Sequence, residues 1–288
     1  MSKQSTVLVL GASGMLGHAV LRFFAGSSGI TVYGSVRSGA AKALLPSAVQ
    51  SNVITGIDVD NWDSLVALFA RTQPDVVINC VGLVKQLAEA DDPLAAIPIN
   101  SLLPHRLARL CAVRGARLVH ISTDCVFAGT RGMYLETDPS DAKDLYGRSK
   151  FLGEVHGPGA VTLRTSIIGP ELNSAHGLVG WFLAQTGRIR GFTHAIFSGL
   201  PTVELARVIR DFVLPDPQLQ GLYHVAAAPI NKYELLRLIA AAYGRTIEIA
   251  PDAALVIDRS LNAGRFRELT GYVAPDWPGL VHAMREFG

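Results

Sequence analysis

Apolar residues come in short unbroken runs separated by amphipathic stretches, and this alternation predicts strands and helices taking turns along residues 1–165. Thr6–Leu10 reads as a strand buried on both faces, followed through a glycine turn by a helix over Met15–Phe24. Ile30–Val36, Val53–Ile57 and Asp75–Cys80 read as further strands, with a helix over Trp62–Arg71. Pro93–Arg114 is helical in pattern, and Pro98 and Pro104 should kink or split it. Arg117–Ser122 reads as a fifth strand, Leu145–Val155 as a helix and Ala160–Thr165 as a sixth strand. Parallel strands joined by helices predict an α/β fold of Rossmann type, a doubly wound parallel sheet.

Beyond Thr165 the regularity weakens. Gly177–Gly187, Thr202–Phe212, Asn231–Tyr243 and Gly279–Phe287 read as helices, with short strands at Ile196–Leu200 and Leu222–Val225. The expected organisation is a dinucleotide-binding domain over 1–165, and a smaller C-terminal substrate-binding lobe over 166–288 with some segments returning to the sheet. Ligands of open α/β sheets bind beyond the carboxyl ends of the strands, so such a lobe would set specificity.

Composition narrows the classes. The chain has 288 residues, 49% of them hydrophobic and 17% charged, enough to bury a large core. Its 26 basic and 24 acidic residues are dispersed and leave a formal charge of +2, which argues against a nucleic-acid partner. Cys80, Cys111 and Cys125 lack the spacing of a zinc site, so no metal is expected and a reducing compartment fits. The start enters a strand without a signal-peptide pattern, and no apolar run approaches the roughly 18 residues of a spanning helix. A soluble cytoplasmic protein is expected.

Gly11, Ala12, Ser13, Gly14, Met15, Leu16 and Gly17 form a GxxGxxG pattern where the first strand turns into the first helix. Gly11 and Gly14 would let the backbone approach a pyrophosphate, Gly17 would allow close helix packing, and the helix N-terminus would supply amides. A glycine turn that merely joins strand to helix is the plainer alternative. Where an NAD site usually has an acid, about 20 residues further on, this chain has Arg37 and no carboxylate. A guanidinium there can grip a 2′-phosphate and favours NADPH over NADH; the alternative is a solvated arginine. Asp58 and Val59, after the third strand, are candidates to meet the adenine, although a turn aspartate is the competing reading.

Tyr146 and Lys150 stand at i and i+4, which puts phenol and ammonium on one helix face. A tyrosine that titrates near 10 needs a shift of roughly 3 units, or about 4 kcal/mol, to exchange protons near neutrality. A nearby cation would favour the phenolate, so Lys150 is expected to lower the tyrosine. His120 lies in an apolar strand and reads as a satisfied core histidine rather than a base, while His176 and His194 receive no role.

The glycine pattern, Asn79-Cys80-Val81-Gly82, Asn100, Ser122-Thr123-Asp124, Tyr146 and Lys150 resemble the extended short-chain dehydrogenase/reductases. Within them, His120–Glu154 is similar to the signature of the dTDP-4-dehydrorhamnose reductase family, and Arg164-Thr165-Ser166 and Gly221–Val225 extend the resemblance over nearly the whole chain. The resemblance implies NADPH-dependent reduction of a nucleotide-linked 4-keto-6-deoxy sugar, a step in making polysaccharide precursors, and it allows a homodimer. It assigns Thr123 to the substrate carbonyl and Tyr146 to proton delivery. Lys150 would hold the nicotinamide ribose and lower the phenol, and Asn100 would hold a water that links Lys150 to solvent. Cys80, Val81, Gly82, Ser166 and Ile167 would join the cofactor contacts. Lys85, Asp124, Cys125 and Arg259 would meet the substrate, with Arg259 in the late segment that helps hold the nucleotide.

One departure concerns the sugar: the family often has tyrosine where this chain has Cys125. Three other activities compete. A dehydratase would want an Asp-Glu pair after the threonine, and Asp124-Cys125 supplies half of it. A sugar-nucleotide 4-epimerase uses the same residues with retained NAD. A non-catalytic NADP-binding regulatory subunit is the alternative of a different class.

Overall fold

The computed structural model describes residues 4–84 and 88–288. Seven parallel strands form the central sheet in the order β10-β6-β5-β4-β1-β2-β3. They are β1 (Ser5–Leu10), β2 (Ile30–Ser35), β3 (Val53–Ile54), β4 (Val76–Asn79), β5 (Arg117–Thr123), β6 (Ala160–Thr165) and β10 (Gly221–His224). The alternation of side chains along β1 explains its unbroken apolar run. Val7 and Val9 enter one hydrophobic cluster with Val20 and Phe24, whereas Leu8 and Leu10 enter another with Leu65, Leu68 and Leu107. Both faces are therefore covered, as the doubly wound class requires. β1 lies between β2 and β4, so the turn after β1 opens beside the turn after β4 at the point where the strand order reverses. The last strand comes from beyond residue 165, with Gly221–His224 in register with Val161–Arg164.

Two smaller sheets complete the chain: β7 (Ile167–Ile168) with β9 (Leu200–Pro201), and β8 (Arg188–Phe197) between β11 (Ile230–Asn231) and β12 (Glu248–Asp258). Here the pattern reading needs correction. The helix expected over Gly177–Gly187 spans only Leu178–Leu183, and the strand expected at Ile196–Leu200 is the ten-residue β8, ending at Phe197. Arg188 and Arg190 flank Ile189, and Thr193 and His194 interrupt the strand, so its apolar run begins only at Ala195. β12 carries Pro251, which a central strand would exclude; it is tolerated because β12 is the edge strand and its register slips between Asp252 and Val256. The third strand is two residues long, and the helix expected to reach Val155 ends at Leu152 before Gly153.

The proline-interrupted segment is neither split nor simply kinked. Pro93–Ala96 runs into a π-helical turn over Ile97–Leu102, followed by the helix Leu103–Arg114. Pro98 and Pro104 lack the N–H groups a regular ladder would use, and a wider turn accommodates them.

Candidate active site

β1 ends at Leu10, and Gly11 turns the chain at φ +74. A Cβ at Gly11 would stand 3.0 Å from Val81 Cγ2 and 3.3 Å from the Cys80 carbonyl, and one at Gly17 would stand 2.0 Å from Gly11 O. The turn is thus pressed against the segment after β4, and only glycine fits. Gly14 caps the helix Met15–Ala25, which has neither a side-chain cap nor an acid in its first turn, so its leading amides remain available to an anion. Ser13 and Met15 are half-buried along this cradle, with Leu16 buried beneath it. A cradle that a Cβ would fill, in front of uncapped amides, fits a dinucleotide diphosphate.

Arg37 is exposed just past β2, beside Ser38, whose hydroxyl caps the next short helix. Asp58 is exposed, and its carboxylate accepts from Asp60 N at 3.0 Å, the geometry of a turn aspartate. Val59 packs against the cluster that contains Leu8 and Leu10. Ser166 and Ile167 follow the carboxyl end of β6, where Ile167 pairs with Leu200.

On the other side of the switch point, Asn100 is 1% exposed within the π-helical turn. Its Oδ1 accepts from Leu83 N at 3.0 Å, and its Nδ2 donates to Leu83 O at 3.3 Å and to Ser149 Oγ at 3.2 Å. Its carboxamide ties the loop after β4 to the helix Leu145–Leu152. A Cβ on Gly82 would be 3.4 Å from Asn100 Oδ1 and 3.8 Å from Lys150 Nζ, so these three adjoin.

Asp144 caps the helix Leu145–Leu152 by accepting from Gly147 N at 2.8 Å. Gly147 lets that helix close on the turn after β5, since a Cβ there would lie 2.2 Å from Cys125 O. Tyr146 is half-buried and Lys150 is 6% exposed. Thr123 accepts from Cys125 N at 3.1 Å and donates to Asp124 Oδ1 at 3.2 Å, and its hydroxyl adjoins the Tyr146 phenol.

The expectation that Lys150 lowers the tyrosine is not met. Burial pushes the phenol above its usual range and the neighbouring Cys125 adds to this, while the Thr123 hydroxyl pulls the other way. Lys150 turns to β5, donating to Ile121 O at 2.7 Å. Burial lowers its ammonium to about 8, against the raising influence of Glu154 and Cys80. Burial also pushes the Cys80 thiol up to about 12, so it is held as a neutral thiol.

A buried network beneath this trio went unread in the sequence. Glu154 accepts from Arg164 Nε and Nη2, both at 2.7 Å, and from Ser122 Oγ at 2.7 Å. Arg164 Nη1 stands 3.4 Å from His224 Nε2, and His224 Nδ1 lies 3.0 Å from Tyr134 O. Helix, β5, β6 and β10 are thereby joined directly below Thr123. The only sequence signals were the residues themselves, quoted within the resemblance but without partners.

His120 is fully buried, with Nδ1 3.2 Å from Asn79 Nδ2, and burial holds it well below the usual imidazole range. It is a core histidine, as expected, but only one of its nitrogens is satisfied, since Nε2 has no partner among the described residues.

Toward the lobe, Asp124 and Cys125 are half-buried beside Tyr146. Arg259 Nε donates to Phe127 O at 2.7 Å, so it sits over the turn that carries both. Lys232, absent from the sequence reading, faces Asp124, Cys125 and Arg259. Lys85 lies outside the described residues. Among the described residues no group of three or more His, Cys, Asp or Glu could hold a metal ion, and no helix is long and apolar enough to cross a membrane.

The family model described as the RmlD substrate binding domain matches residues 5–255. The chain is 30% identical over 251 residues to methionine adenosyltransferase 2 subunit beta of Danio rerio, covering 82% of this chain and 73% of that one. It is equally 30% identical, over 231 residues, to a probable low-salt glycan biosynthesis reductase of Haloferax volcanii, covering 76% and 73%. The fold is similar to that of a dTDP-4-dehydrorhamnose reductase from Bacillus anthracis solved in complex with NADP, with a TM-score of 0.82, 21% identity and full coverage of both chains. With the glycine cradle and the Thr123, Tyr146 and Lys150 cluster in place, the match over 5–255 makes the chain a member of the RmlD substrate binding domain family, within the extended short-chain dehydrogenase/reductases.

Proposed function

We propose that this chain is an NADPH-dependent reductase of a nucleotide-linked keto sugar, acting on a 4-keto-6-deoxyhexose nucleotide to supply glycan assembly. The observation that carries the reading is the meeting of Thr123, Tyr146 and Lys150 at the carboxyl end of β5, next to the Gly11 cradle. When bound, the reduced dinucleotide supplies hydride. Gly11, Ser13, Gly14, Met15 and the segment Cys80–Gly82 bind it, and Arg37 meets its 2′-phosphate. Thr123, its hydroxyl turning away from Asp124 Oδ1, donates to the substrate carbonyl oxygen, and the Tyr146 hydroxyl gives that oxygen its proton as negative charge grows there. The neutral phenol favoured by burial is the form that can give a proton. Lys150, held against β5, lies on the dinucleotide side. Asp124, Cys125 and Arg259 face the sugar nucleotide.

NADPH oxidation followed by stopped flow, with dTDP- and UDP-linked 4-keto-6-deoxyhexoses, tests the reading. The similarity to a subunit of methionine adenosyltransferase favours a second reading, a dinucleotide-binding subunit without turnover. Tight NADPH binding with no oxidation by any keto-sugar nucleotide would select it.

A further inference from the structure

Lys232 is the first residue of the helix Lys232–Ala242, whose cap is Asn231. Its surroundings are fixed by one row of backbone pairing. Asn231 pairs with Ile196 across β11 and β8, Ile196 pairs with Asp258 across β8 and β12, and Asp258 bridges to Thr130. Lys232 follows Asn231 and Arg259 follows Asp258, in opposite senses along β8 because β11 runs antiparallel and β12 parallel to it. The row joins the lobe to the turn after β5, and Arg259 is anchored there through Phe127 O. Its guanidinium stem fits because Gly129 has no side chain: a Cβ there would meet Arg259 Cγ at 2.8 Å.

Lys232 stands within electrostatic reach of Asp124, Cys125 and Arg259, so two cations of the lobe adjoin the turn after β5. Their donors are unspent: among the described residues neither a hydrogen bond nor an ion pair engages the half-buried Lys232 ammonium, and Arg259 commits only Nε. Burial lowers the Lys232 ammonium, with Asp124 and Cys125 opposing that and Arg259 adding to it. Asp124 hydrogen-bonds Thr123 and Cys125 and is at the same time the negative charge near both cations. A half-buried ammonium at the rim of the cleft, with Asp124 as its nearby charge, keeps donors for an outside oxygen.

Resting on the reductase reading of the cleft, we propose that Lys232 is a substrate-binding residue, whose ammonium donates to an oxygen of the nucleotide sugar held over Thr123 and Tyr146. A charge-assisted donor there selects substrates that present a phosphate or sugar oxygen at that point, and the two sources separate experimentally.

The test is calorimetric titration of wild type, Lys232→Met and Lys232→Arg with dTDP, UDP, dTDP-glucose and UDP-glucose, alongside NADPH. Methionine keeps the length and apolar stem without the donors. In Lys232→Met the affinity for nucleotide sugar is expected to fall roughly ten- to a hundredfold, with NADPH affinity within about twofold and partial recovery in Lys232→Arg. Equal weakening of the free diphosphates would assign the contact to phosphate; weakening confined to the nucleotide sugars would assign it to a sugar oxygen. Unchanged affinity for all four ligands, parallel loss of NADPH binding, or no binding of any of the four to wild type would each overturn the proposal. Binding with the expected Lys232 dependence, but no turnover of any keto-sugar nucleotide, would overturn the reductase reading alone.

Discussion

Lys150 donates to the carbonyl oxygen of Ile121 at 2.7 Å, two residues before Thr123 on the same strand. One end of the helix that carries Tyr146 is thereby fastened to the strand that carries Thr123. The other end is held by the Gly147 approach to Cys125 O, so the distance between phenol and hydroxyl is set by backbone packing rather than by flexible side chains.

Burying that ammonium opposes folding. Burial takes Lys150 from 10.5 to about 8. Below about pH 8 both native and unfolded chains hold the proton and the penalty is complete; between about 8 and 10.5 the unfolded chain binds more protons, so this group's contribution to stability rises with pH. The penalty at neutrality is at most about 3 kcal/mol. Lys150→Met is therefore expected to raise the denaturant midpoint at pH 7, to flatten the rise above pH 8, and to weaken NADPH. Urea unfolding across that range checks it, and a lower midpoint at pH 7 would mean that the bond to Ile121 outweighs burial.

Glu154 and Arg164 are 4% and 2% exposed and share two bonds of 2.7 Å. Removing one partner leaves the other charge buried alone, so Glu154→Gln is expected to cost about 3 to 5 kcal/mol. The double variant Glu154→Gln, Arg164→Met should recover part of that loss, since the stranded charge has gone. Equal losses in single and double variants would mean that the pair contributes packing rather than charge.

The parts of the site that were legible are those written in local spacing. Gly11, Gly14 and Gly17 announce a turn that side chains would block, and Tyr146 and Lys150 announce one helix face. What escaped depends on distant elements. Arg164 meets Glu154 only because β6 lies beside β5, and the helix end above them carries the carboxylate inward. Lys232 looks like any lysine opening a helix; its neighbours Asp124, Cys125 and Arg259 come from segments distant in sequence. β8 was legible only at its end and β12 not at all, because glycine, proline and polar residues dilute the period that marks a strand. The direction of the Tyr146 shift was misjudged for a related reason: spacing puts Lys150 on its face, but burial and the hydrogen bond to Ile121 decide where the ammonium points.

Arg37 is exposed past β2, with no acid at the position where an NAD site would place one. Arg37→Ala is expected to remove most of the preference for NADPH over NADH, because a hydrogen bond to a charged group is worth roughly 1.5 to 3 kcal/mol. Arg37→Asp should reverse the order. Dissociation constants for both dinucleotides, measured by fluorescence titration, decide it; an unchanged ratio in the alanine variant would move the phosphate site elsewhere.

Tyr146→Phe separates chemistry from structure most sharply. The phenol is half-buried, adjoins Thr123 and is pushed above its usual range, chiefly by burial, so near neutrality it is a proton donor in waiting. Phenylalanine keeps the ring and its packing beside Gly147 and deletes only that donor, so the fold and NADPH affinity should change little. Turnover should fall by two to four orders of magnitude, about the worth of a positioned general acid. Thr123→Val should fall less, since it removes one hydrogen bond to the developing oxyanion, and the unfolding midpoints of both variants should stay near wild type. Single-turnover NADPH oxidation with a 4-keto-6-deoxyhexose nucleotide gives the ordering. A phenylalanine variant that matched wild type would remove Tyr146 from proton delivery and leave its phenol a structural partner of Thr123.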